Sequence, residues 1–337
     1  MAKTALITGV TGMVGSHLLD YLVNNTDWDI VGMCRWRSPL DNIAAHLPQI
    51  NRRERIRLAY GDLRDSVAVR KVVESANPDY VFHLAAQSFP QTSFDSPLDT
   101  LDTNIQGTAR LLEALKSVSP SAVIHVCASS EVFGRVTRDE LPIVENCSFH
   151  PASPYAISKV GTDLIGRFYA EAYQMTVMTT RMFTHTGPRR GDVFAESSFA
   201  KQIAMAELDL AEPTIKVGNL DSLRTIADVR DAVRAYYMLV TCSPESGAFY
   251  NIGGSYSCSI GELLEFLISL SPLKDEFRIE IDPCRLRPID ADLQIPDIRK
   301  FQSKTGWTPQ IPFETTMLDL LNYWRSKLRS EGNDLIR

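Results

Sequence analysis

Short apolar runs alternate along the first part of the chain with segments whose apolar positions recur every three or four residues. The strand-like runs are TALIT at 4–8, DIVGMC at 29–34, IRLAY at 56–60, YVFHLA at 80–85, VIHVCA at 123–128 and TVMTTR at 176–181. Between them, DSVAVRKVVESA and NIQGTARLLEALKS have the spacing of amphipathic helices. This alternation predicts an α/β fold built on a doubly wound parallel sheet.

A glycine-rich turn follows the first strand-like run. The stretch TGVTGMVGSHL places Gly9, Gly12 and Gly15 in G-x-x-G-x-x-G spacing before a predicted helix. Such glycines let the backbone approach a pyrophosphate closely, and the helix N-terminus offers unpaired N–H groups to it. A simple tight turn is the alternative, but the strand-turn-helix context favours a Rossmann-type dinucleotide site.

The alternation loosens after Gly187 into pieces punctuated by Pro and Gly, with a later strand-like run, AFYNIGG, and helical patterns near 260–270 and 314–328. We expect residues 1–182 to form the dinucleotide-binding domain, with a strand and helix near 226–252 returning to it. Residues 183–225 and 253–337 are expected to form a smaller C-terminal substrate-binding lobe.

Composition narrows the class of protein. The chain has 337 residues, of which 44% are hydrophobic and 23% charged, and its net charge of -6 gives no basic footprint for nucleic acid. The six cysteines lack C-x-x-C pairs, which disfavours a zinc site or a disulfide framework and favours a reducing cytoplasm. The sequence shows neither a secretory signal nor an apolar run long enough to span a membrane. The cysteines are Cys34, Cys127, Cys147, Cys242, Cys258 and Cys284.

Two arginines follow the second strand-like run, where a carboxylate usually binds the ribose of NAD. Arg35 and Arg37 in MCRWRS would pair with a 2′-phosphate, so the sequence favours NADP over NAD, unless both simply line a solvated loop. Asp62 is placed to accept a hydrogen bond from adenine, with a turn-forming role as an equal alternative. Ala85 and Ala86 are small where the dinucleotide would pass, although packing explains them equally well.

A Tyr and a Lys lie four residues apart in HPASPYAISKVGTD, residues 150–163. Ser153 is a favoured N-cap and Pro154 suits the first helical position, so a helix is predicted to begin here. Tyr155 and Lys159 then share one helix face. Spacing alone favours an ordinary exposed face over a catalytic pair.

The end of the fifth strand-like run changes that interpretation. CASSEVFG delivers Ser129, Ser130 and Glu131 to the carboxyl edge of the sheet, where open α/β folds bind ligands. With a dinucleotide nearby, Tyr155 is predicted to be a general acid/base, with Lys159 favouring its phenolate and Ser129 bonding the substrate oxygen. For Ser129, the alternative is a hydroxyl that caps a loop.

These motifs in this order resemble the extended short-chain dehydrogenases/reductases that act on nucleotide sugars, and the resemblance covers essentially the whole chain. AAQSF, SFDSP, SSE, SPYAISK and GPRRGD resemble GDP-mannose 4,6-dehydratases. FAKQIA, IKVGNL, LRPID and TGWTPQIPFE resemble GDP-4-keto-6-deoxymannose reductases at least as much.

The resemblance implies a nucleotide-sugar 4,6-dehydratase, an NADP-dependent hydro-lyase that converts GDP-mannose to GDP-4-keto-6-deoxymannose. Such an enzyme oxidises C4, loses water across C5 and C6, and returns the hydride to C6. Glu131 is then the base for the C5 proton and Ser130 assists the leaving hydroxyl, unless Glu131 is a structural carboxylate. A 4-ketosugar reductase or a 4-epimerase would not need Glu131. A non-catalytic dinucleotide sensor would be expected to lack Tyr155 or Lys159.

The resemblance also implies further site residues. It adds these residues to the cofactor site: Thr11, Met13, Val14, Leu63, Leu84, His185 and Arg190. It implies a GDP-sugar site formed by Gln87, Ser88, Ser129, Glu131, Thr184, Lys201, Val217, Asn219, Arg224 and Arg287. The resemblance also points to Arg189 for the nucleotide diphosphate; the alternatives are that Arg189 and Arg190 hold the cofactor phosphate of a neighbouring subunit or line a solvated loop.

Two departures from the resembling enzymes fall at the substrate end. Thr184 stands where most of them have Asn, and RTIAD replaces the usual Arg-Asp after GNL. These changes leave the particular nucleotide sugar open.

The resemblance implies a homodimer or homotetramer, through the helices after the fourth strand and around Tyr155. We expect Trp36, Trp307 and Trp324 to be packing anchors. No metal site is predicted, because His83, His125 and His150 have no second ligand at useful spacing.

Overall fold

The computed structural model describes residues 2–287 and 289–332. A seven-stranded parallel sheet forms its centre, with strand order β10-β6-β5-β4-β1-β2-β3. Its strands are β1 (Thr4–Thr8), β2 (Asp29–Cys34), β3 (Ile56–Tyr60), β4 (Tyr80–His83), β5 (Val123–Cys127), β6 (Thr176–Met182) and β10 (Phe249–Ile252). The α/β fold with a doubly wound parallel sheet is therefore confirmed.

The strands of the smaller sheets follow β6 in the chain. They are β7 (His185–Thr186), β8 (Thr214–Val217), β9 (Leu223–Asp228), β11 (Tyr256–Ser259), β12 (Arg278–Ile281) and β13 (Leu293–Gln294). In the described residues, β9 is flanked by β11 and β13 and also pairs with β7, while β12 pairs with β8.

Helices cover both faces of the large sheet. The α-helices are α1 (Met13–Asn25), α2 (Leu47–Asn51), α3 (Ser66–Ala76), α4 (Pro90–Asp95), α5 (Pro97–Leu101), α6 (Gly107–Val118), α7 (Pro154–Tyr173), α8 (Ala195–Glu207), α9 (Val229–Thr241), α10 (Ile260–Ser269), α11 (Arg299–Thr305) and α12 (Phe313–Gly332). A π-helical turn, Asp102–Gln106, joins α5 to α6. None of the described helices combines the length and apolarity needed to cross a bilayer.

Two hydrophobic clusters sandwich the sheet. One contains side chains of α1 and α9, and the other contains side chains of α3, α6 and α7. Phe301 and Trp307 also pack in the first cluster, although they come from the stretch assigned to the smaller lobe. A third cluster joins α8, α10 and α12 around β8, so this lobe has a core of its own.

The start of α7 has the local chemistry that its sequence indicates. Pro154 occupies the first helical position, and the Ser153 hydroxyl accepts a hydrogen bond from the N–H of Ala156 at 3.0 Å. This cap satisfies one of the N–H groups that a helix start leaves unpaired. It fixes the point from which Tyr155 and Lys159 project.

A buried ion pair attaches α7 to the sheet. Arg181 of β6 and Asp163 of α7 are 1% and 0% exposed, and Nε lies 2.5 Å from Oδ2. A second guanidinium nitrogen donates to the carbonyl of Glu145 at 2.6 Å. Removing one ion would leave the other buried without its partner.

We predict that Arg181→Met lowers the free energy of unfolding by about 3–5 kcal/mol, because Asp163 becomes an uncompensated buried charge. Urea unfolding of the purified variant measures this. The double variant Arg181→Met/Asp163→Leu should recover most of the loss, and Arg70→Ala, in an exposed pair with Glu74, should change little. A single variant as stable as the double would show that the pair is not a buried charge in solution.

Candidate active site

A cleft of about 1040 Å³ lies between the carboxyl ends of the large sheet and the smaller lobe. Segments directly after six of the parallel strands, β1 to β6, contribute to its walls. The opposite wall comes from residues 189–199, from Gly218 to Arg224 and from the stretch around Arg287. A parallel sheet brings all its strand ends to one edge, so distant segments of sequence meet here.

The glycine turn forms one end of the cleft. Gly9 has φ of +75°, and a Cβ on it would lie 2.9 Å from Cα of Ala85. A Cβ on Gly15 would lie 2.2 Å from the carbonyl oxygen of Gly9. The turn therefore excludes side chains, and α1 begins directly after Gly12. This cradle fits the pyrophosphate of a dinucleotide.

Arg35 and Asp62 line the same end of the cleft. Asp62 Oδ1 accepts the backbone N–H of Arg64 at 2.9 Å, and hydrogen bonds from the Arg64 side chain hold the pKa of Asp62 below its usual value. Asp62 therefore shapes its own turn as well as facing the cleft. Asn42, which the sequence analysis missed, donates to the carbonyl of Thr11 at 2.9 Å and also lines this end.

Trp36 lies at the surface beside this region and is 76% exposed. The prediction that it is a packing anchor was wrong, because most of its side chain is in solvent; its ring packs edge-on against Tyr60 of β3, with the ring centroids 4.8 Å apart. Trp307 and Trp324 are buried, as expected for anchors.

Tyr155 and Lys159 lie on one face of α7 and are 8% and 5% exposed. Lys159 Nζ donates to the carbonyl of Cys127 at 2.7 Å and lies 6.0 Å from the centre of the Tyr155 ring. Burial raises the pKa of Tyr155, partly offset by a hydrogen bond with Ser129, and burial lowers the pKa of Lys159. Burial thus disfavours both the phenolate and the ammonium, so each group of the pair is biased toward its uncharged form.

The turn after β5 places the remaining predicted catalytic groups. Ser129 Oγ accepts the N–H of Glu131 at 3.2 Å and caps a short helical turn, Ser130–Val132. The negative charge of Glu131 raises the pKa of Tyr155, and it opposes the burial that lowers the pKa of Arg224. Glu131 is thus within electrostatic range of both the Tyr155 hydroxyl and Arg224.

The end of the cleft that the smaller lobe lines is cationic. Arg224 donates to the carbonyl of Ala291 at 2.5 Å, and its guanidinium lies 3.7 Å from Asp290. Arg287 lies 3.4 Å from the same carboxylate. Arg285, which the sequence analysis missed, donates to Ser198 Oγ at 3.0 Å and lines the cleft. The sequence signal that could have indicated Arg285 is its position two residues before Arg287.

Two arginines of the GPRRGD loop also face the cleft. Arg190 pairs with Glu196 at 3.1 Å, and its guanidinium lies 3.4 Å from the centre of the Phe194 ring. Arg189 pairs with Asp20 of α1 at 2.7 Å. Neither side chain extends freely into solvent, so within this chain both serve to close the loop onto the cleft.

Most predicted site residues meet in this one cleft. Those that line it are Gly9, Thr11, Gly12, Met13, Val14, Gly15, Arg35, Asp62, Leu63, Leu84, Ala85, Ala86, Gln87, Ser88, Ser129, Ser130, Glu131, Tyr155, Lys159, Thr184, His185, Arg190, Asn219, Arg224 and Arg287.

Three predicted site residues are outside the cleft lining: Arg37, Lys201 and Val217. Arg37 is exposed beyond the cleft. Lys201 pairs with Asp192 at 2.7 Å, and Val217 is fully buried in the core of the smaller lobe. Pro288 of LRPID lies outside the described residues. In the described part of the chain, no cluster of His, Cys, Asp and Glu side chains is arranged to hold a metal ion.

Comparisons with known proteins agree with this geometry. The profile of the GDP-mannose 4,6 dehydratase family matches residues 6–320. The GDP-6-deoxy-D-mannose reductase of Pseudomonas aeruginosa is 31% identical, covering 98% of this chain and 100% of the reductase. A GDP-mannose 4,6-dehydratase of Vibrio cholerae is also 31% identical, covering 95% of this chain and 93% of its own.

Solved structures show the same fold. RMD from Pseudomonas aeruginosa, complexed with NADPH, has a TM-score of 0.81 and 28% identity and covers 97% of this chain and 100% of its own. DesIV, a dTDP-glucose 4,6-dehydratase from Streptomyces venezuelae with NAD and TYD bound, has a TM-score of 0.82 at 23% identity, covering 97% and 98%. The match to DesIV, at 23% identity, shows a shared fold and nothing more.

The Rossmann-type sheet and the Ser-Tyr-Lys cleft define an enzyme of the extended short-chain dehydrogenase/reductase class. Within that class the profile match covers nearly all of the chain. The chain belongs to the GDP-mannose 4,6-dehydratase family.

We predict that Arg35→Ala weakens the binding of NADPH by about tenfold or more while changing the binding of NADH by much less, because only NADPH carries a phosphate for the guanidinium. Fluorescence titration with each dinucleotide measures the two dissociation constants. Arg37→Ala, outside the cleft, is the matched control and should leave both nearly unchanged. Equal losses for NADPH and NADH in Arg35→Ala would contradict this assignment.

Proposed function

We propose that this protein is a nucleotide-sugar 4,6-dehydratase that converts GDP-mannose to GDP-4-keto-6-deoxymannose and water, with NADP recycled in each turnover. The observation that carries the proposal is the presence of two proton-transfer groups in one cleft, Tyr155 beside Lys159 and Glu131 on the turn after β5. The dehydratases among the relatives, at 28–31% identity, support it.

The residues divide the chemistry between two positions of the sugar. Tyr155 takes the proton of the C4 hydroxyl, with Lys159 stabilising the phenolate and Ser129 bonding the C4 oxygen. Glu131 takes the proton from C5, and Ser130 passes the proton that Tyr155 took from the C4 hydroxyl to the C6 hydroxyl, which leaves as water, and Tyr155 returns to the phenolate. When bound in the cleft, NADP would supply the hydride chemistry, taking up the hydride from C4 and giving it back at C6. C5 then regains a proton from Glu131, so no external reductant is consumed.

The charges of the cleft fit the proposed ligands. Arg35 at the glycine-turn end suits the 2′-phosphate of NADP, and RMD, with its bound NADPH, supports that choice. Arg224 and Arg287 at the other end suit a diphosphate, with Arg285 beside them.

A 4-ketosugar reductase is the second candidate function. The reductase of Pseudomonas aeruginosa aligns along its entire length with this chain, which specifically favours this candidate. A reductase uses Tyr155, Lys159 and Ser129 in the same way but consumes NADPH and leaves Glu131 without a proton to remove.

The deciding experiment incubates the purified protein with GDP-mannose and a catalytic amount of NADP, followed by mass spectrometry. A dehydratase releases a product lighter by one water, over many turnovers.

We predict that Glu131→Gln lowers this product formation by about a hundredfold or more, because the C5 proton loses its base.

The same variant has a second readout. With Glu131→Gln, oxidation at C4 still proceeds, so reduced nicotinamide should accumulate on the enzyme without loss of water. Tyr155→Phe is the control and should give neither signal. Unchanged turnover in Glu131→Gln would remove its role, and NADPH consumption with a 4-keto sugar in place of dehydration would establish the reductase.

We propose also that the enzyme is a homodimer or larger, joined through α7. Ile157, Leu164 and Phe168 are 50%, 47% and 54% exposed and share one face of the helix. Leu98 of the neighbouring α5 is 79% exposed. An apolar stripe of this kind on two adjacent helices matches a self-complementary interface.

The six free cysteines are consistent with a reducing cytoplasm as the location of the protein.

We predict that Phe168→Glu shifts the protein from dimer to monomer in solution, because a carboxylate would have to be buried in the interface. Light scattering at micromolar concentration measures the mass. Val67→Glu on α3, where Val67 is 60% exposed, is the control and should leave the mass unchanged. A wild-type monomer would remove the proposal.

A further inference from the structure

His83 ends β4 directly behind the cleft and is 3% exposed. Its two ring nitrogens contact two buried hydroxyls. Nδ1 lies 2.9 Å from Thr8 Oγ1, at the end of β1, and Nε2 lies 3.0 Å from Thr108 Oγ1, in α6. His83 thus connects two elements on either side of its own strand.

The hydrogen bonds around this imidazole can run in one direction only. Thr108 donates its single hydroxyl proton to the carbonyl of Asn104 at 2.6 Å, so it must accept from His83 Nε2–H. Nδ1 is then a bare acceptor, and Thr8 donates its own proton to it. Burial lowers the pKa of His83 to about 3, which agrees with a neutral ring.

The Thr8 end of this series of hydrogen bonds holds the loop that faces the cofactor site. Thr8 Oγ1 accepts the backbone N–H groups of both Leu84 and Ala85 at 3.1 Å. These residues line the cleft, and Ala85 is the one that packs against Gly9. The hydroxyl therefore uses its donor and both acceptor positions, which leaves no room for a proton on Nδ1.

The other end of this series of hydrogen bonds reaches α7, the helix that carries Tyr155. Asn104, in the π-helical turn, donates to the carbonyl of Gln87 at 2.9 Å and to Ser158 Oγ at 2.8 Å. Ser158 in turn donates to the carbonyl of Tyr155 at 2.7 Å. The same loop that carries the cofactor wall is thereby connected to the helix that carries the proton donor.

We propose that His83, held as the neutral Nε2–H tautomer, is a positioning residue that fixes the cofactor loop 84–87 relative to Tyr155 on α7. It acts through Thr8 and Thr108 and touches no reacting atom. Loss of the imidazole leaves the Thr8 hydroxyl proton without its acceptor and Thr108 without its donor, so the network is weakened at both ends at once.

The test compares His83→Phe with His125→Phe. His125 lies on the adjacent strand, is fully buried, has a pKa lowered by burial to about 3, and bonds Thr180 at 2.8 Å. Each variant loses a buried imidazole, so both should lower the melting temperature. Only His83→Phe should raise the dissociation constant for NADPH and lower kcat, each by about tenfold or more.

Nitrogen NMR of the wild-type protein tests the tautomer without any variant. The His83 ring should show Nε2 carrying a slowly exchanging proton and Nδ1 bare at neutral pH. The opposite tautomer, a protonated ring, or equal kinetic effects of the two substitutions would overturn the proposal. The kcat readout rests on the proposed function, but NADPH binding and the NMR signals do not, so a failure of the dehydratase assay leaves this test readable.

Discussion

Two buried charged contacts, one helical turn apart on α7, set the geometry on which the candidate site depends. Lys159 donates to the carbonyl of Cys127 at the end of β5, and Asp163 pairs with Arg181 of β6. A buried charged group is costly unless it is paired or hydrogen-bonded, so these two contacts favour one position of α7 against the sheet. Because Ser129 follows Cys127 by two residues, the same constraint places its hydroxyl beside Tyr155.

Sequence patterns predicted the parts of the fold that depend on local signals. Strands β1, β2 and β3 begin and end where their apolar runs do, and Ser153 caps α7. The predicted fourth strand extended to Ala85, whereas β4 ends at His83 because Thr8 takes the next two backbone N–H groups away from the sheet. The glycine spacing predicted the turn because sterics alone require glycine there.

Patterns failed where position depends on partners far along the chain. Strands β7 and β13 are two residues long and exist only through pairing with β9, so no periodicity indicates them. Lys201 and Val217 were implied by resemblance, yet one is paired with Asp192 and the other faces the core. His83 was dismissed for lack of a metal partner, and its hydroxyl partners are contributed by β1 and α6. No local sequence pattern around His83 indicates that it contacts Thr8 and Thr108.

The cationic end of the cleft shows how two guanidinium groups can be ordered by a single carboxylate. Arg224 and Arg287 share one carboxylate, Asp290, so their positive charges are ordered but not cancelled. The resembling enzymes carry Asp after the first of these arginines, whereas this chain has Thr225, whose hydroxyl bonds Ser257 at 2.7 Å. Without that carboxylate, the burial of Arg224 is opposed by the charges of Glu131 and Asp290, with a smaller contribution from Asp292. Under the proposed function, a diphosphate would then meet less competition for the Arg224 guanidinium, whose charge interacts with that of Glu131, the proposed base for C5.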